Sequence, residues 1–257
     1  VARTTTRART TAFVDEVFLS VQGEGIWVGE RQVFVRFSGC ALDCAYCDSQ
    51  RARRLTDRLL LKSEDAKGHY VDNPVAQTDL THIVANLAPA SAIHSVAVTG
   101  GEPLLQDAFL ASWLPDLRGM GYRVYLETAG TLPERLARVI HAVDFCSMDI
   151  KLPSATGLRD YWQEHRAFLR CCHEAGVPTM AKAVVSSTTT SEEVRETARM
   201  IAETWDAVTL VLQPVTPMHR VASRPDPKAV LALQAEGLRW LRSVRVIPQT
   251  HRLVGMP

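Results

Sequence analysis

Three cysteines lie within one short segment, FSGCALDCAYCDS, where Cys40, Cys44 and Cys47 have the spacing C-x3-C-x2-C and no fourth cysteine follows nearby. Thiolates are the soft ligands that hold iron–sulfur clusters, which usually take four of them. Three in one loop leave one iron of a four-iron cluster without a protein ligand, and an open coordination position is where chemistry happens, as in catalytic zinc sites. A zinc knuckle completed by a histidine is the alternative, although the next histidine, His69, is remote in sequence. A disulfide is disfavoured, because three thiols cannot pair and no export signal is read before them. Cys146, Cys171 and Cys172 fall in apolar strand or helix patterns and are expected to be dispensable as cluster ligands.

A second group of residues is Thr99-Gly100-Gly101-Glu102-Pro103. Two adjacent glycines remove two side chains, so that a ligand can approach the backbone. Their carbonyls, with Glu102 alongside, suit a positively charged amine. Read alone, Gly-Gly before Pro is as well explained by a turn. Beside a three-cysteine loop it carries more weight.

The elements that must position these residues alternate along the chain. Candidate strands are Val33–Phe37, Ser95–Thr99, Arg123–Glu127, Phe145–Ile150, Thr179–Val185 and Val208–Gln213, with a short one at Val244–Ile247. They are rich in apolar residues without strict alternation, which suits strands buried on both faces of a parallel sheet. Between them lie helix candidates at 79–87, Leu104–Met120, Pro133–Ala142 and Arg159–Ala175. Thr190-x-x-Glu193 is a capping box, and Asp226-Pro227 sets a cap and a first-turn proline. About six β-α units predict an α/β fold, an incomplete parallel barrel or an open doubly wound sheet, and the partial barrel fits better because eight units are absent. In such folds function gathers where strands end, which singles out the cysteine loop, the Gly-Gly turn, Glu127-Thr128, the run Ser147, Asp149, Lys151, and Gln213-Pro214.

A net charge of +1 and 22% charged residues provide no field for nucleic acid or a membrane surface. No apolar run reaches the ~18 residues of a membrane helix. Six cysteines without an export signal predict a reducing, cytoplasmic setting. Residues 1–12 are small, polar and basic and are expected to form a disordered tail, leaving 13–257 as a single domain. Within it, 51–78 reads as an inserted segment carrying Arg51, Arg53, Arg54, Arg58, Lys62 and Lys67, either solvated or a docking surface for an acidic partner.

The cysteine loop and GGEP together resemble the radical S-adenosylmethionine (SAM) superfamily. The segments Phe18–Gly25, Gly29 and Val33–Cys40, with the ending Val246–Pro257, are similar to the 7-carboxy-7-deazaguanine synthase family. The likeness covers most of Phe13 to Pro257, apart from the basic stretch after Cys47. It implies a [4Fe–4S] cluster on Cys40, Cys44 and Cys47, and SAM held by Gly100, Gly101 and Glu102 with Tyr46 at the adenine. Ser147, Asp149, Lys151, Gln213, Pro214, Val215 and Thr216 would contact the rest of SAM. The implied reaction converts 6-carboxy-5,6,7,8-tetrahydropterin to 7-carboxy-7-deazaguanine by reductive cleavage of SAM, hydrogen abstraction, ring contraction and loss of ammonia. It belongs to queuosine-type 7-deazapurine biosynthesis.

The residues make physical sense for that substrate. A carboxylate such as Glu24 can accept from the N–H edge of a pterin, and Gln22 offers a donor and an acceptor. Gly23 and Gly25 would let the backbone come close. Arg36 offers a bidentate fork to the substrate carboxylate. Thr99 and His251 are further candidates, and the terminal carboxylate of Pro257 is implied to fold over the pocket as a ligand. Each has a plainer explanation: Arg36 in a surface ion pair, His251 in a satisfied loop, QGEG as a hairpin turn. The resemblance also implies Mg2+ on the hydroxyl after the cysteine loop, where Ser49 stands in place of the family's usual threonine. A flavodoxin or ferredoxin-type electron donor and a homodimer are the expected partners. A glycyl-radical-enzyme activase would share the cysteine loop and GGEP but has no use for Glu24 and Arg36. A non-catalytic zinc or iron–sulfur protein leaves GGEP without a role.

Overall fold

The computed structural model describes residues 10–62 and 68–256. The strands are β1 (Thr11–Ala12), β2 (Val14–Val21), β3 (Arg31–Phe37), β4 (Arg58–Leu61), β5 (His69–Asp72), β6 (Val75–Ala76), β7 (Ser95–Gly100), β8 (Val124–Thr128), β9 (Phe145–Ile150), β10 (Thr179–Val185), β11 (Thr209–Pro214) and β12 (Val244–Val246). The helices are α1 (Gln77–Leu87), α2 (Asp107–Gly119), α3 (Pro133–Ala137), α4 (Pro153–Thr156), α5 (Trp162–Glu174), α6 (Ser191–Trp205), α7 (Pro227–Leu238) and α8 (Thr250–Leu253).

β3, β7, β8, β9, β10, β11 and β12 follow one another side by side, all parallel. The order never reverses, which excludes the doubly wound sheet, whose strand order switches direction. Right-handed crossovers that all step the same way put the helices on one face. The sheet ends at β12 on one side and β5 on the other and does not close, so the partial barrel is the observed architecture. Among the described residues no helix is long and apolar enough to cross a membrane.

The strands do alternate, contrary to the sequence expectation. Val33, Val35 and Phe37 on β3, Val96 and Val98 on β7, Leu126 on β8 and Met148 and Ile150 on β9 face the helix layer in one core. The opposite parity faces the barrel interior. Its lower level is aromatic: Phe18 stacks on Phe34 at 5.1 Å, and Trp27 meets Tyr125 and Phe145 edge-on at 5.3 and 5.6 Å. Above this plug the interior positions are polar, and both kinds of face are buried, which hid the alternation.

The N-terminal extension is an antiparallel hairpin of β2 and β3, closed where Gln22 N–H donates to Glu30 O at 2.7 Å. QGEG is thus a hairpin loop after all, and one that reaches the interior. Residues 10–12 are part of the fold and not of a tail: β1 pairs with β6, and Ala12 is buried. Residues 1–9 lie outside the described residues. After the cysteine loop, β4 and β5 form a hairpin that β2 extends at the sheet edge. Three basic residues of the inserted segment pair within the chain, Arg51 with Asp15 at 2.8 Å, Arg53 with Asp43 at 2.9 Å and Lys62 with Glu16 at 2.6 Å. Lys67 lies outside the described residues. Both predicted caps form: Thr190 and Glu193 cap α6 reciprocally, and Asp226 accepts from Lys228 N–H at 2.8 Å, contacts of about 1 kcal/mol each.

Candidate active site

The upper ends of the parallel strands surround one cavity lined by Cys40, Cys44 and Cys47 together with Gly100, Gly101, Glu24, Arg36 and His251. The cysteine loop is fixed by backbone bonds to its surroundings. Cys40 N–H donates to Arg53 O at 3.1 Å, Gly39 N–H to Ala52 O at 2.8 Å, and Ala45 N–H to Thr156 O at 2.9 Å. The three thiols are free, and burial pushes each of them up from the ordinary thiol value. Among the described residues no three His, Cys, Asp or Glu side chains converge as they would around a single ion. Three free thiols on one loop, all lining one cavity, are the soft donor set that an iron–sulfur cluster takes.

The Gly-Gly turn sits where the sequence placed it, but for a different reason. A β-carbon on Gly100 would stand 2.2 Å from Phe37 O, and one on Gly101 would stand 2.4 Å from Gly39 O. The backbone that comes close is the protein's own, where β7 crosses the start of the cysteine loop. Glu102 also departs from expectation, since its side chain does not line the cavity. It is buried, and its carboxylate accepts from Leu104 N–H at 3.1 Å, Thr128 Oγ1 at 2.8 Å and Ala129 N–H at 2.8 Å. It ties the turn after β7 to the end of β8, and burial raises its pKa.

Tyr46, Ser147, Asp149, Lys151, Gln213, Val215 and Thr216 all line the cavity, whereas Pro214 does not. Lys151 Nζ is 2.7 Å from Asp149 Oδ2, 3.5 Å from Tyr46 OH, and lies over the Tyr46 ring at 5.5 Å. Asp149 Oδ1 and Gln213 Oε1 are buried acceptors without a protein partner. Two unpaired acceptors beside the cysteine loop fit a cofactor rich in N–H and O–H donors, as SAM is. His165, fully buried on α5, accepts from Lys151 N–H through Nε2 at 3.0 Å while Nδ1 meets Gly130 O at 3.0 Å; burial lowers its pKa to about 4.

On the other side, Gln22, Gly23, Glu24, Arg36, Thr99 and His251 also line the cavity. Gln22 Nε2 donates to Glu127 Oε1 at 2.7 Å. Glu24 pairs with Lys182 through Oε2 and accepts from Gln249 Nε2 through Oε1 at 2.7 Å. Burial is the largest influence and opposes its charge, but Lys182 and the Gln249 hydrogen bond together hold the Glu24 carboxyl below its usual range. Glu127 moves the other way, raised by burial and by the Glu24 charge. The glycines again make room for protein: a β-carbon on Gly23 would stand 2.0 Å from His251 Nδ1, and one on Gly25 would stand 1.9 Å from the Met180 methyl. Arg36 is an ion pair as well as a wall of the cavity, with Nε at 2.8 Å from Glu16 and Nη1 at 2.9 Å from Ser49 Oγ.

Sequence reading singled out Glu127 at a strand end without giving it a role and missed Lys182, Asp48 and Gln249; all four line the cavity. Interior parity would have found two of them, since Glu127 and Lys182 are charged residues at alternate positions of otherwise apolar strands. At the chain end, Thr250 N–H donates to Gly23 O at 2.8 Å, while Leu253, Val254 and Met256 are exposed. Pro257 lies outside the described residues.

The Radical SAM superfamily model matches residues 34–201. A 7-carboxy-7-deazaguanine synthase from Geobacter sulfurreducens is 40% identical over 250 residues, covering 95% of this chain and 97% of its own. The chain belongs to the 7-carboxy-7-deazaguanine synthase family. Another relative of that name, from Methanothermobacter thermautotrophicus, is 33% identical and covers 94% of this chain and 96% of its own. Among solved structures, QueE from Escherichia coli superposes with a TM-score of 0.61 at 21% identity, covering 94% of this chain and 95% of that one, which supports the fold. A 7-carboxy-7-deazaguanine synthase family chain is a radical SAM enzyme, so a [4Fe–4S] cluster, SAM and a reductant are its requirements, and its substrate is a small molecule. Membership in this enzyme family displaces the non-catalytic metal protein and the activase.

Proposed function

We propose that the chain converts 6-carboxy-5,6,7,8-tetrahydropterin to 7-carboxy-7-deazaguanine with loss of ammonia. The observation that carries this reading is one cavity bounded by three free thiols at one side and by Glu24, Gln22 and Arg36 at the other. Cys40, Cys44 and Cys47 would hold the cluster. Gly100, Gly101, Tyr46, Ser147, Asp149, Lys151, Gln213, Val215 and Thr216 would hold SAM. Bound together, those groups supply one-electron chemistry and hydrogen-atom abstraction, while the protein binds, orients and excludes side reactions.

Glu24, ionised, presents spare lone pairs to the N–H edge of the pterin. Gln22, fixed by Glu127, supports that edge, and Thr99 and His251 complete the wall. Arg36 keeps N–H groups beyond those given to Glu16 and Ser49, and these serve the substrate carboxylate. Magnesium is not favoured by the residues present. Ser49 Oγ accepts from Arg36 and donates to Asp48 Oδ1 at 3.0 Å, so a divalent cation there would face a guanidinium. Turnover without added Mg2+ supports Arg36 as the neutralising group, and strict dependence on the metal refutes it.

A flavodoxin or ferredoxin-type donor would supply the electron, in the cytoplasm. Exposed Leu231, Leu238 and Trp240 on and after α7 support a homodimer, checked by sedimentation. The decisive experiment is anaerobic incubation of reconstituted protein with the pterin, SAM and dithionite. The deazaguanine acid and ammonia are expected; SAM cleavage without product from the pterin would overturn the reading.

A further inference from the structure

Lys182 sits on β10 with its ammonium inside the barrel, mostly buried with 12% of its side chain exposed, and neither the Gly-Gly turn nor the cysteine loop explains it. It pairs with Glu24 on the hairpin loop and stands 3.6 Å from Asp149 Oδ2 on β9, which in turn binds Lys151 at 2.7 Å. The side chain thus spans from the substrate wall to the cofactor wall of the cavity. A buried lysine costs heavily unless paired, and a single carboxylate would pair it. Here two carboxylates from different elements share it.

We propose that Lys182 is a positioning residue of the pterin site, one that keeps Glu24 as an oriented acceptor-only carboxylate and ties it to Asp149 at the cofactor end. The role rests on the reading of Glu24 as the partner of the pterin N–H edge. Gln249 fixes the other oxygen of Glu24, so the carboxylate plane is set from β10 and from the C-terminal segment at once. The charged and titratable groups around Glu24 are Lys182 on β10, Asp149 on β9 with Lys151 just after it, Glu127 and Tyr125 on β8, and His251 in α8, with Asp48 across Gln249. Two of the near ones, Asp149 and Glu127, are acids. Without Lys182, Glu24 would keep a neutral amide as partner and two like charges as neighbours. Its carboxyl would then titrate higher, and as pH falls it would carry a proton and offer a donor where the pterin needs an acceptor.

The test is the pH profile of the pterin KM in native protein and in Lys182→Met, Lys182→Arg and Lys182→Met/Glu24→Gln variants. Native KM is expected to stay flat between about pH 8 and about pH 6, while Lys182→Met should lose up to about tenfold per unit of falling pH once its Glu24 protonates. Lys182→Arg should restore the flat profile, because the charge returns. In Lys182→Met/Glu24→Gln the pH dependence should vanish while KM stays high. A readout without substrate uses thermal midpoints: Lys182→Met should fall below native, and adding Glu24→Gln should recover part of the loss. A native-like pH profile in Lys182→Met overturns the role of Lys182 alone, and so does a folded Lys182→Arg that restores nothing. Native protein that cleaves SAM but never acts on the pterin overturns the substrate itself.

Discussion

Replacing Glu102 by Gln separates a brace from a ligand. The carboxylate accepts three hydrogen bonds at 2.8–3.1 Å and has no place in the cavity wall. The amide keeps one oxygen, which can still serve Leu104 N–H and Thr128. Its NH2 then faces Ala129 N–H, donor against donor. One hydrogen bond to a charged group, worth about 1.5–3 kcal/mol, is lost, and a buried N–H is left unsatisfied at about 1–3 kcal/mol. Burial is the largest influence on Glu102 and it disfavours the charge, so losing the charge returns part of this. A net loss of about 2–3 kcal/mol is expected, which for a chain of this size lowers the thermal midpoint by roughly 4–12 °C. The assay is thermal unfolding of the protein without SAM, followed by SAM binding to the reconstituted enzyme. The brace reading expects the midpoint to fall before any ligand is added, with SAM affinity weakened only through the shifted Gly100–Gly101 backbone. An unchanged midpoint with SAM binding abolished would refute it and place the carboxylate on the ligand.

Alanine at Cys40, Cys44 or Cys47 should abolish iron binding, whereas alanine at Cys146, Cys171 or Cys172 should leave it intact, as read by iron and sulfide content and the visible spectrum. Gly23→Ala would drive a β-carbon into the His251 ring, so the pterin KM should rise severalfold while reductive SAM cleavage persists. Glu24 and Asp149 both titrate below their ordinary values in the fold, so their stabilisation is present above the unfolded carboxylate pKa and is lost as pH falls through the folded one. The thermal midpoint should therefore drop steeply below about pH 4, and less so in Lys182→Met/Glu24→Gln.

The strands were legible because each is a compact apolar run between capped helices, and the parallel order follows from those units. The cysteine loop, GGEP and QGEG were legible because their residue types are rare at such spacing. What the sequence hid was which neighbour each glycine and acid serves. Gly100, Gly101 and Gly23 all mark close approach, but only coordinates show that Phe37, Gly39 and His251 are what approaches. Glu102 was read as a ligand because acid beside a glycine pair suits an amine. The residues that satisfy it, Thr128 and Ala129, lie on another strand end, and no local pattern connects them.

Interior parity links fold to chemistry in this chain. Along β3, β8, β9 and β10 the residues facing the helices are apolar, and those facing the barrel change from Phe34, Tyr125, Phe145 and Met180 near Trp27 to Arg36, Glu127, Asp149 and Lys182 farther up the strands. A row of buried charges is tolerable only if it neutralises itself. Lys151, Asp149, Lys182 and Glu24 do so in sequence across three elements, with Gln249 closing the end of the row. Such a chain has no free mobile charge to offer an arbitrary ligand, which argues for recognition by fixed lone pairs and N–H groups. Substitutions in the row should therefore act in pairs. Removing one charge should cost more than removing it with its neighbour, which is how a built electrostatic wall differs from a collection of independent contacts.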